Sequence, residues 1–497
     1  MKAATGFATL GRLTSSMENY GLLSLLPPVL AIGLALITRQ VFLSLLAGLW
    51  LGFLILAGGN PLTGSFETLN GLVAVFNNAG NTRIIIFTLV VGALIALIQR
   101  SGGVQGFINR LLSWLEKSSE KGGSRVKVEL LALATGLLLF IESNISILTV
   151  GTLYRPVFDR LGIPREKLAY IADSSSAPSC ILIPFNAWGA FITGLIMAQG
   201  LDAPFGELLK ATLFNFYPMI VIATLLVVIL TGRNIGEMKK AEARGTLLRE
   251  GAQPMLAGEL SAMDAKHGVT PKARNMIIPI LAMVLLMPTF LIMTGWSDGN
   301  GQILKALQSG SGSTSVLYAT SFACLLAFVM YKAQGLLGVR EMFDLSLKGM
   351  SGMLPLAILM VLAFALGTLC KDLGTGQYVA DVAKQFISPA LVPAMIFLTA
   401  CFVAFSTGTS WGTFAIMIAI AIPLAQGMDT NVSLAIAAAL GGGVFGDHCS
   451  PTSDTSIITS MATGNDHIDH IRTQLPFALL GGAITTGLYL ILGVMGV

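Results

Sequence analysis

Apolar runs of helix length recur at 22–37, 41–57, 84–99, 213–231, 276–294, 314–331, 353–369 and 475–495. Each approaches or reaches the roughly 20 residues an α-helix needs to cross a bilayer. A membrane β-barrel would instead alternate apolar and polar positions over segments of about ten residues. An all-α polytopic membrane protein is therefore expected. Two further stretches, 129–154 and 390–425, are apolar but interrupted near their middles by polar residues, so each could span the membrane or turn back inside it. A polar segment, 232–274, carries eight Lys/Arg and five Asp/Glu and no run of spanning length. It divides the chain into membrane halves 1–231 and 275–497.

Composition agrees. The chain is 54% hydrophobic and 11% charged, with a mean hydropathy of +0.77, against about 25% charge in a soluble protein. The 55 glycines suit close helix packing in lipid. The first 21 residues lack a basic, then apolar, then cleavage pattern, so a removable signal peptide is not expected. Five scattered cysteines, Cys180, Cys324, Cys370, Cys401 and Cys449, imply no disulfide framework.

Landmarks repeat across the linker in a shared order. Phe66-Glu67 pairs with Phe343-Asp344, and Arg100-Ser-Gly-Gly with Lys371-Asp-Leu-Gly-Thr-Gly. Glu142-Ser143-Asn144 pairs with Thr407-Gly408-Thr409-Ser410, and Asp173 with Asp447, at offsets of 265 to 277 residues. Charge placement then decides between spans and hairpins, because short cytoplasmic loops are rich in Lys/Arg. With both interrupted stretches read as hairpins and the N-terminus outside, 23 of the 30 basic residues fall on the cytoplasmic side; read as full spans, the best division is 18 against 12. The expectation is two inverted repeats, each with about five spanning helices, a re-entrant hairpin and a broken helix.

The polar residues inside these apolar surroundings are the candidate chemistry. Ionisable groups at membrane depth are costly and mark functional sites by default. In the second half Thr407, Thr409, Ser410 and Thr413 offer hydroxyls at one break, and Asp447, Ser450, Ser453 and Asp454 surround Pro451 at another. Hard cations are bound through oxygen, and broken transporter helices coordinate Na⁺ with unwound carbonyls. A buried carboxylate in such a cage can hold a proton or a metal ion in turn, so Asp447, with Thr409 and Ser450, is the expected Na⁺ site. The first half offers Glu142, Ser143, Asn144 and Ser146 at the hairpin tip, and Asp173, Ser174, Ser175, Ser176 and Ser179 at an expected helix break. The Asp466-His467-Ile-Asp469-His470 cluster reads as a solvated loop before the last span.

The segment GDHCSPTSD at 446–454, with HIDHIRTQLP at 467–476 and STGTSWGT at 406–413, resembles the NhaC-type sodium/proton antiporters of the ion-transporter superfamily. That resemblance implies Na⁺/H⁺ exchange across a bacterial inner membrane by a multi-pass protein. It carries over to Thr407, Thr409, Ser410 and Thr413, and to Asp447, Ser450, Pro451, Ser453 and Asp454. His448-Cys449 departs from the relatives, many of which place a basic residue and a small or apolar one there.

Two other readings compete with the antiporter. One is Na⁺- or H⁺-coupled movement of a small carboxylate or amino acid, with Asn186, Trp188 and Trp411 shaping an organic pocket. The other is an intramembrane aspartyl hydrolase using Asp173 and Asp447, which the serine-rich, proline-broken surroundings disfavour, since such enzymes need two aspartates sharing a proton. No nucleotide-binding loop is present, so ATP-driven transport is not expected. The partners expected are Na⁺, H⁺ and the lipid bilayer, with a small organic substrate and a homodimer left open. Neither a cofactor nor nucleic acid is expected.

Overall fold

The computed structural model describes residues 20–496 apart from 39, 108, 111–124, 141, 202, 255–269, 298–301, 304 and 307–309. Residues 1–19 of the segment read for a signal peptide and the middle of the linker thus lie outside the described residues. The described residues are helical and form no β-strand. In the first half α1 (Leu26–Thr38), α2 (Val41–Leu56), α3 (Pro61–Ala74) and α4 (Ala79–Arg100) come first. They are followed by α5 (Arg125–Leu138) and α6 (Ser143–Arg160), then α7 (Arg165–Leu182) and α8 (Ala187–Ala198), then α9 (Pro204–Leu213) and α10 (Phe216–Thr231). The linker contributes α11 (Gly236–Arg244). The second half runs α12 (Arg274–Gly295), α13 (Gly312–Ala333), α14 (Val339–Gly352), α15 (Leu354–Asp372) and α16 (Thr375–Phe386). After these come α17 (Val392–Thr407), α18 (Ser410–Gly427), α19 (Val432–Cys449), α20 (Asp454–Thr463) and α21 (His467–Met495).

Nine helices among the described residues are long and apolar enough to cross a membrane, and α7 with α8, bent by 47°, makes a tenth. This is a multi-pass membrane protein. Both arms of the second expected hairpin, α17 and α18, are among the nine, so length alone does not separate a hairpin arm from a span there.

The interrupted stretches and the broken helices recur in register. Helices begin at Ser143 and Ser410 and at Arg165 and Val432, and end at Leu182 and Cys449, each pair 267 residues apart. The same interval separates Glu142 from Thr409, whose side chains cap α6 and α18 by accepting the Ile145 and Gly412 N–H groups. It also separates Asn186 from Ser453, the caps of α8 and α20. Pro184 and Pro451 fall in the two breaks at this interval. A proline lacks an N–H and disfavours helix in the residue before it, which explains why both helices stop there.

That register corrects the sequence pairing. Asp173 is matched by Leu440 and Asp447 by Cys180, so the two aspartates are not counterparts. The first-half break also lies at 183–186, beyond the Asp173–Ser179 motif. Asp173 and its serines sit inside continuous α7. Ser175, Ser176 and Ser179 donate to the carbonyls of Ala172, Asp173 and Ser176 in their own helix, so these hydroxyls bond inside α7 and not at a break.

Close packing brings these elements together. α19 passes so near α17 that a Cβ on Gly446 would lie 2.3 Å from the Ala404 Cβ and the Phe405 nitrogen. At one end of the bundle the linker is strapped down. Arg244 pairs with Glu166 at 2.7 Å and Arg249 with Asp469 at 3.0 Å, while Arg165 Nη1 donates to the Gly464 carbonyl at 3.0 Å. Arg125 of α5 bonds both Glu129 and Glu242. Lys167, buried, donates to Asn234 at 2.8 Å.

Candidate functional site

Each hairpin tip abuts the helix break of its own half. In the first, Asn186 Nδ2 donates to the Phe140 carbonyl at the tip and to the Cys180 carbonyl before the break, at 2.7 and 2.8 Å. In the second, α17 ends on Gly408, whose φ of +69° lets the chain turn within two residues. A Cβ there would sit 2.6 Å from the Thr452 carbonyl oxygen. At the first tip and break the Phe140 and Cys180 carbonyls are thereby partnered by a side chain.

Asp447 lies where the second tip meets the second break and is buried. Ser410, at the first position of α18, donates to Asp447 Oδ2 at 2.9 Å; Ser453, the cap of α20, donates to Oδ1 at 2.6 Å. The Ser453 and Thr455 hydroxyls meet at 2.9 Å. Three loci converge because the tip is short, α19 ends on Cys449, and the cap of α20 sits four residues beyond that end. A hydroxyl has one hydrogen and two lone pairs, so both serines can turn from donating to the carboxylate to coordinating a cation beside it.

The other second-half candidates stand further back. Thr407 and Thr413 donate to the Val403 and Thr409 carbonyls of their own helical stretch, and Thr409 caps α18. Ser450 bonds the Thr452 hydroxyl at 2.9 Å. Of the expected trio Asp447, Thr409 and Ser450, only the aspartate is at the centre, and Ser410 and Ser453 hold the adjacent positions. Asp454 opens α20, exposed, with an oxygen on the Thr455 N–H at 3.0 Å.

Asp173 forms a second centre, fully buried, reached from three other helices. Its Oδ2 accepts from Gln474 Nε2 at 2.7 Å and from His470 Nε2 and Ser456 Oγ, both at 3.2 Å. Gln474 also donates to the His448 carbonyl at 2.8 Å. His448 Nε2 donates to the Asp173 carbonyl at 3.2 Å, and its Nδ1 meets the Tyr217 hydroxyl at 3.3 Å. Ser456 is the junction of the two centres, since its hydroxyl also lies 3.5 Å from the Asp447 carbonyl. Of the first-half residues, Glu142 is half-buried and caps α6, accepting the Ile145 N–H at 2.8 Å. Ser143 is buried beside it, and the Asn144 Oδ1 and Ser174 Oγ are buried without a partner among the described residues.

Ser456, Gln474 and Tyr217 are not among the sequence candidates, and His448 and His470 are named there only as a departure from the motif and as part of a loop. The loop assignment of the Asp466–His470 cluster is corrected, because α21 begins at His467 and His470 is wholly buried. The polar pairs at three- and four-residue spacing in 466–474 were the available signal of a helix face turned inward. Asp173 and Asp447 engage separate donor sets and share no proton, unlike a hydrolase dyad. The donor set around Asp447 is all oxygen, suited to a hard cation, and no cluster of three or more His, Cys, Asp or Glu suited to a metal occurs among the described residues.

Residues 200–494 match the model of the Na⁺/H⁺ antiporter family. The chain belongs to this family. An uncharacterized protein of Haemophilus influenzae is 30% identical over 486 residues, covering 95% of this chain and 90% of that one. The malate-2H⁺/Na⁺-lactate antiporter of Bacillus subtilis is 28% identical over 178 residues, 34% of this chain and 38% of its own. Among solved structures, the YdaH transporter of Alcanivorax borkumensis covers 94% of this chain and 98% of its own, with a TM-score of 0.59 at 14% identity, a likeness of fold. As a family member the chain is a secondary transporter and not an enzyme, and its centre of interest is the Asp447 cluster, which lies within the matched region.

Proposed function

We propose that this family member exchanges Na⁺ for H⁺ across the bacterial inner membrane, by alternating access between two inverted repeats, 1–231 and 275–497. The observation that carries the reading is Asp447, buried between the Ser410 and Ser453 hydroxyls where a hairpin tip meets a broken helix. Ionised, the carboxylate accepts Na⁺ while the two hydroxyls turn lone pairs toward it and unwound carbonyls near the break complete the shell. Protonated, it loses the charge that held the ion, and Na⁺ leaves. One group thus serves both cargoes, and their competition for it couples the two fluxes.

Orientation follows from charge. With 232–274 cytoplasmic, 23 of 30 basic residues lie inside. Residues assigned to one side also meet in space, which supports the division. Arg100 lies 3.9 Å from Glu341, and Asn275 donates to the Ser101 carbonyl. On the other side Ser433 donates to Glu207, and Thr375 to the Ser24 carbonyl.

A second reading, coupled exchange of a small organic acid, has its own support. Trp188 and Trp411 stand 5.0 Å apart between the halves, and the Trp188 N–H is buried without a partner among the described residues. The malate/lactate relative makes an organic cargo chemically reasonable. Everted membrane vesicles carrying a pH dye decide between them. Dequenching on NaCl alone supports Na⁺/H⁺ exchange; a requirement for an organic acid supports the alternative, and no response to either removes both.

A further inference from the structure

Helix α14 carries two adjacent stripes. Val339, Phe343 and Leu347, spaced by four, are exposed. Arg340, Asp344 and Lys348, each one residue further on, are exposed beside them. The opposite side is fixed to the bundle: Met342 and Ser346 are buried, and Gly349 meets Gly92 of α4 so closely that a Cβ would fall 2.3 Å from the Gly92 carbonyl oxygen. An apolar stripe next to a charged one is the pattern of a helix lying in the membrane interface. Between the charged stripe and the end of α4 is a crevice of about 680 Å³, lined also by Arg100, Glu341 and Leu345.

The charges in this crevice are unequally engaged. Arg100 and Glu341 face one another at 3.9 Å. Arg340, Asp344 and Lys348 make no ion pair among the described residues. Two cations and one anion are left to a ligand, at the end of the bundle where the linker rejoins the membrane half, since Asn275 bonds Ser101 there. The matching crevice in the other half, between α3 and the end of α15, differs in charge. It measures about 830 Å³ and offers Lys371 as its one basic side chain, against Glu67 and Asp372, with Asn70, Asn78 and Asn81 around them. Helix α3 likewise exposes Leu62, Phe66, Leu69 and Val73. Both crevices border an interfacial helix, but only the α4–α14 one carries an excess of positive charge.

We propose that the α4–α14 crevice binds the headgroup of an amine-bearing glycerophospholipid. The phosphate lies between Arg340 and Lys348, the ammonium faces Asp344, and the acyl chains run along Phe343 and Leu347. Basic pockets between membrane helices recognise phosphate headgroups by this charge matching. A phosphoethanolamine head complements both signs, a phosphatidylglycerol head only the cations. A choline head has a cation but no N–H to donate to Asp344.

The test uses the full chain in neutral detergent, titrated by native mass spectrometry with phosphatidylethanolamine, phosphatidylglycerol and phosphatidylcholine of equal chain length. Wild type is expected to retain ethanolamine lipid over choline lipid. The double variant Arg340→Gln, Lys348→Gln should lose affinity for the ethanolamine and glycerol lipids by about thirty-fold. Asp344→Asn should remove the preference for ethanolamine over choline and keep the binding of phosphatidylglycerol. All three side chains are exposed, so thermal midpoints should not change; Lys348→Gln alone, with a smaller loss, serves if the double variant is unstable. Unchanged lipid retention in the Arg/Lys variants overturns the proposal. Displacement of the lipid by millimolar inorganic phosphate overturns the lipid assignment in favour of a free phosphate site.

Discussion

Replacing Ser453 by alanine should injure the site twice. The hydroxyl donates to Asp447 Oδ1 at 2.6 Å and accepts the Ser456 N–H at 3.4 Å as the cap of α20. A hydrogen bond to a charged group contributes about 1.5–3 kcal/mol. A cap contributes about 0.5–2 kcal/mol, and the long 3.4 Å contact argues for the lower end. Ser410→Ala removes only the bond to Oδ2. With about 1.4 kcal/mol per factor of ten, Ser410→Ala should raise the half-saturating Na⁺ concentration roughly tenfold and lower the unfolding midpoint less than Ser453→Ala does, because no cap is lost. Ser453→Ala should raise that concentration at least as much and lower the unfolding midpoint further. Thr407→Ala is the control, because its hydroxyl bonds the Val403 carbonyl of its own helix. The assay is Na⁺ titration of dye dequenching in everted vesicles at matched expression. Half-saturation within about twofold of wild type in both serine variants, against the tenfold expected, or an equal loss in Thr407→Ala, would refute the reasoning.

Gly408→Ala forces a side chain into a φ of +69° and toward the Thr452 carbonyl; a loss of about 2 kcal/mol in stability and of transport is expected, measured by thermal unfolding and vesicle flux. His470→Leu leaves Asp173 with two donors in place of three and should cost about 1.5–3 kcal/mol, read by thermal unfolding at neutral pH. Asp466 caps α21 and ties down the linker. Burial alone would raise its pKa, but the Gln253, Asp469 and Ile468 N–H groups outweigh it and hold the carboxyl below its usual range. Its contribution is therefore complete above the ordinary carboxylate pKa and is lost as pH falls through the lower folded value. The protection factor of the Gln253 amide, with the intrinsic pH dependence of exchange divided out, should fall in acid, and Asp466→Ala should lower it at neutral pH.

The sequence made the helical class and the second-half motif legible, because helix-length apolar runs and a proline-broken carboxylate cluster are local signals. The order of landmarks also suggested two related halves. Residue-level equivalence was harder. Asp173-Ser-Ser-Ser-Ala-Pro178 looks like a break, yet its serines satisfy carbonyls in their own helix. The true break, around Pro184 and Asn186, lacks charge and drew less notice. At the position matching Asp447 the first half carries Cys180, so the carboxylate that anchors the second-half cluster is absent from its counterpart. The partners of Asp173 were hidden for another reason. His470 and Gln474 lie some 300 positions away and reach it only through the packing of α21 on α7.

The central claim is that Asp447 exchanges a proton for Na⁺. Calorimetric Na⁺ binding in two buffers of different ionisation heat measures protons released per ion bound, as expected when a ligand must deprotonate to coordinate a metal. Wild type should release close to one proton per Na⁺ at a pH where the site is occupied by protons, and Asp447→Asn, folded and equally expressed, should neither bind Na⁺ nor release protons. Wild-type Na⁺ affinity and proton release in Asp447→Asn would contradict the account.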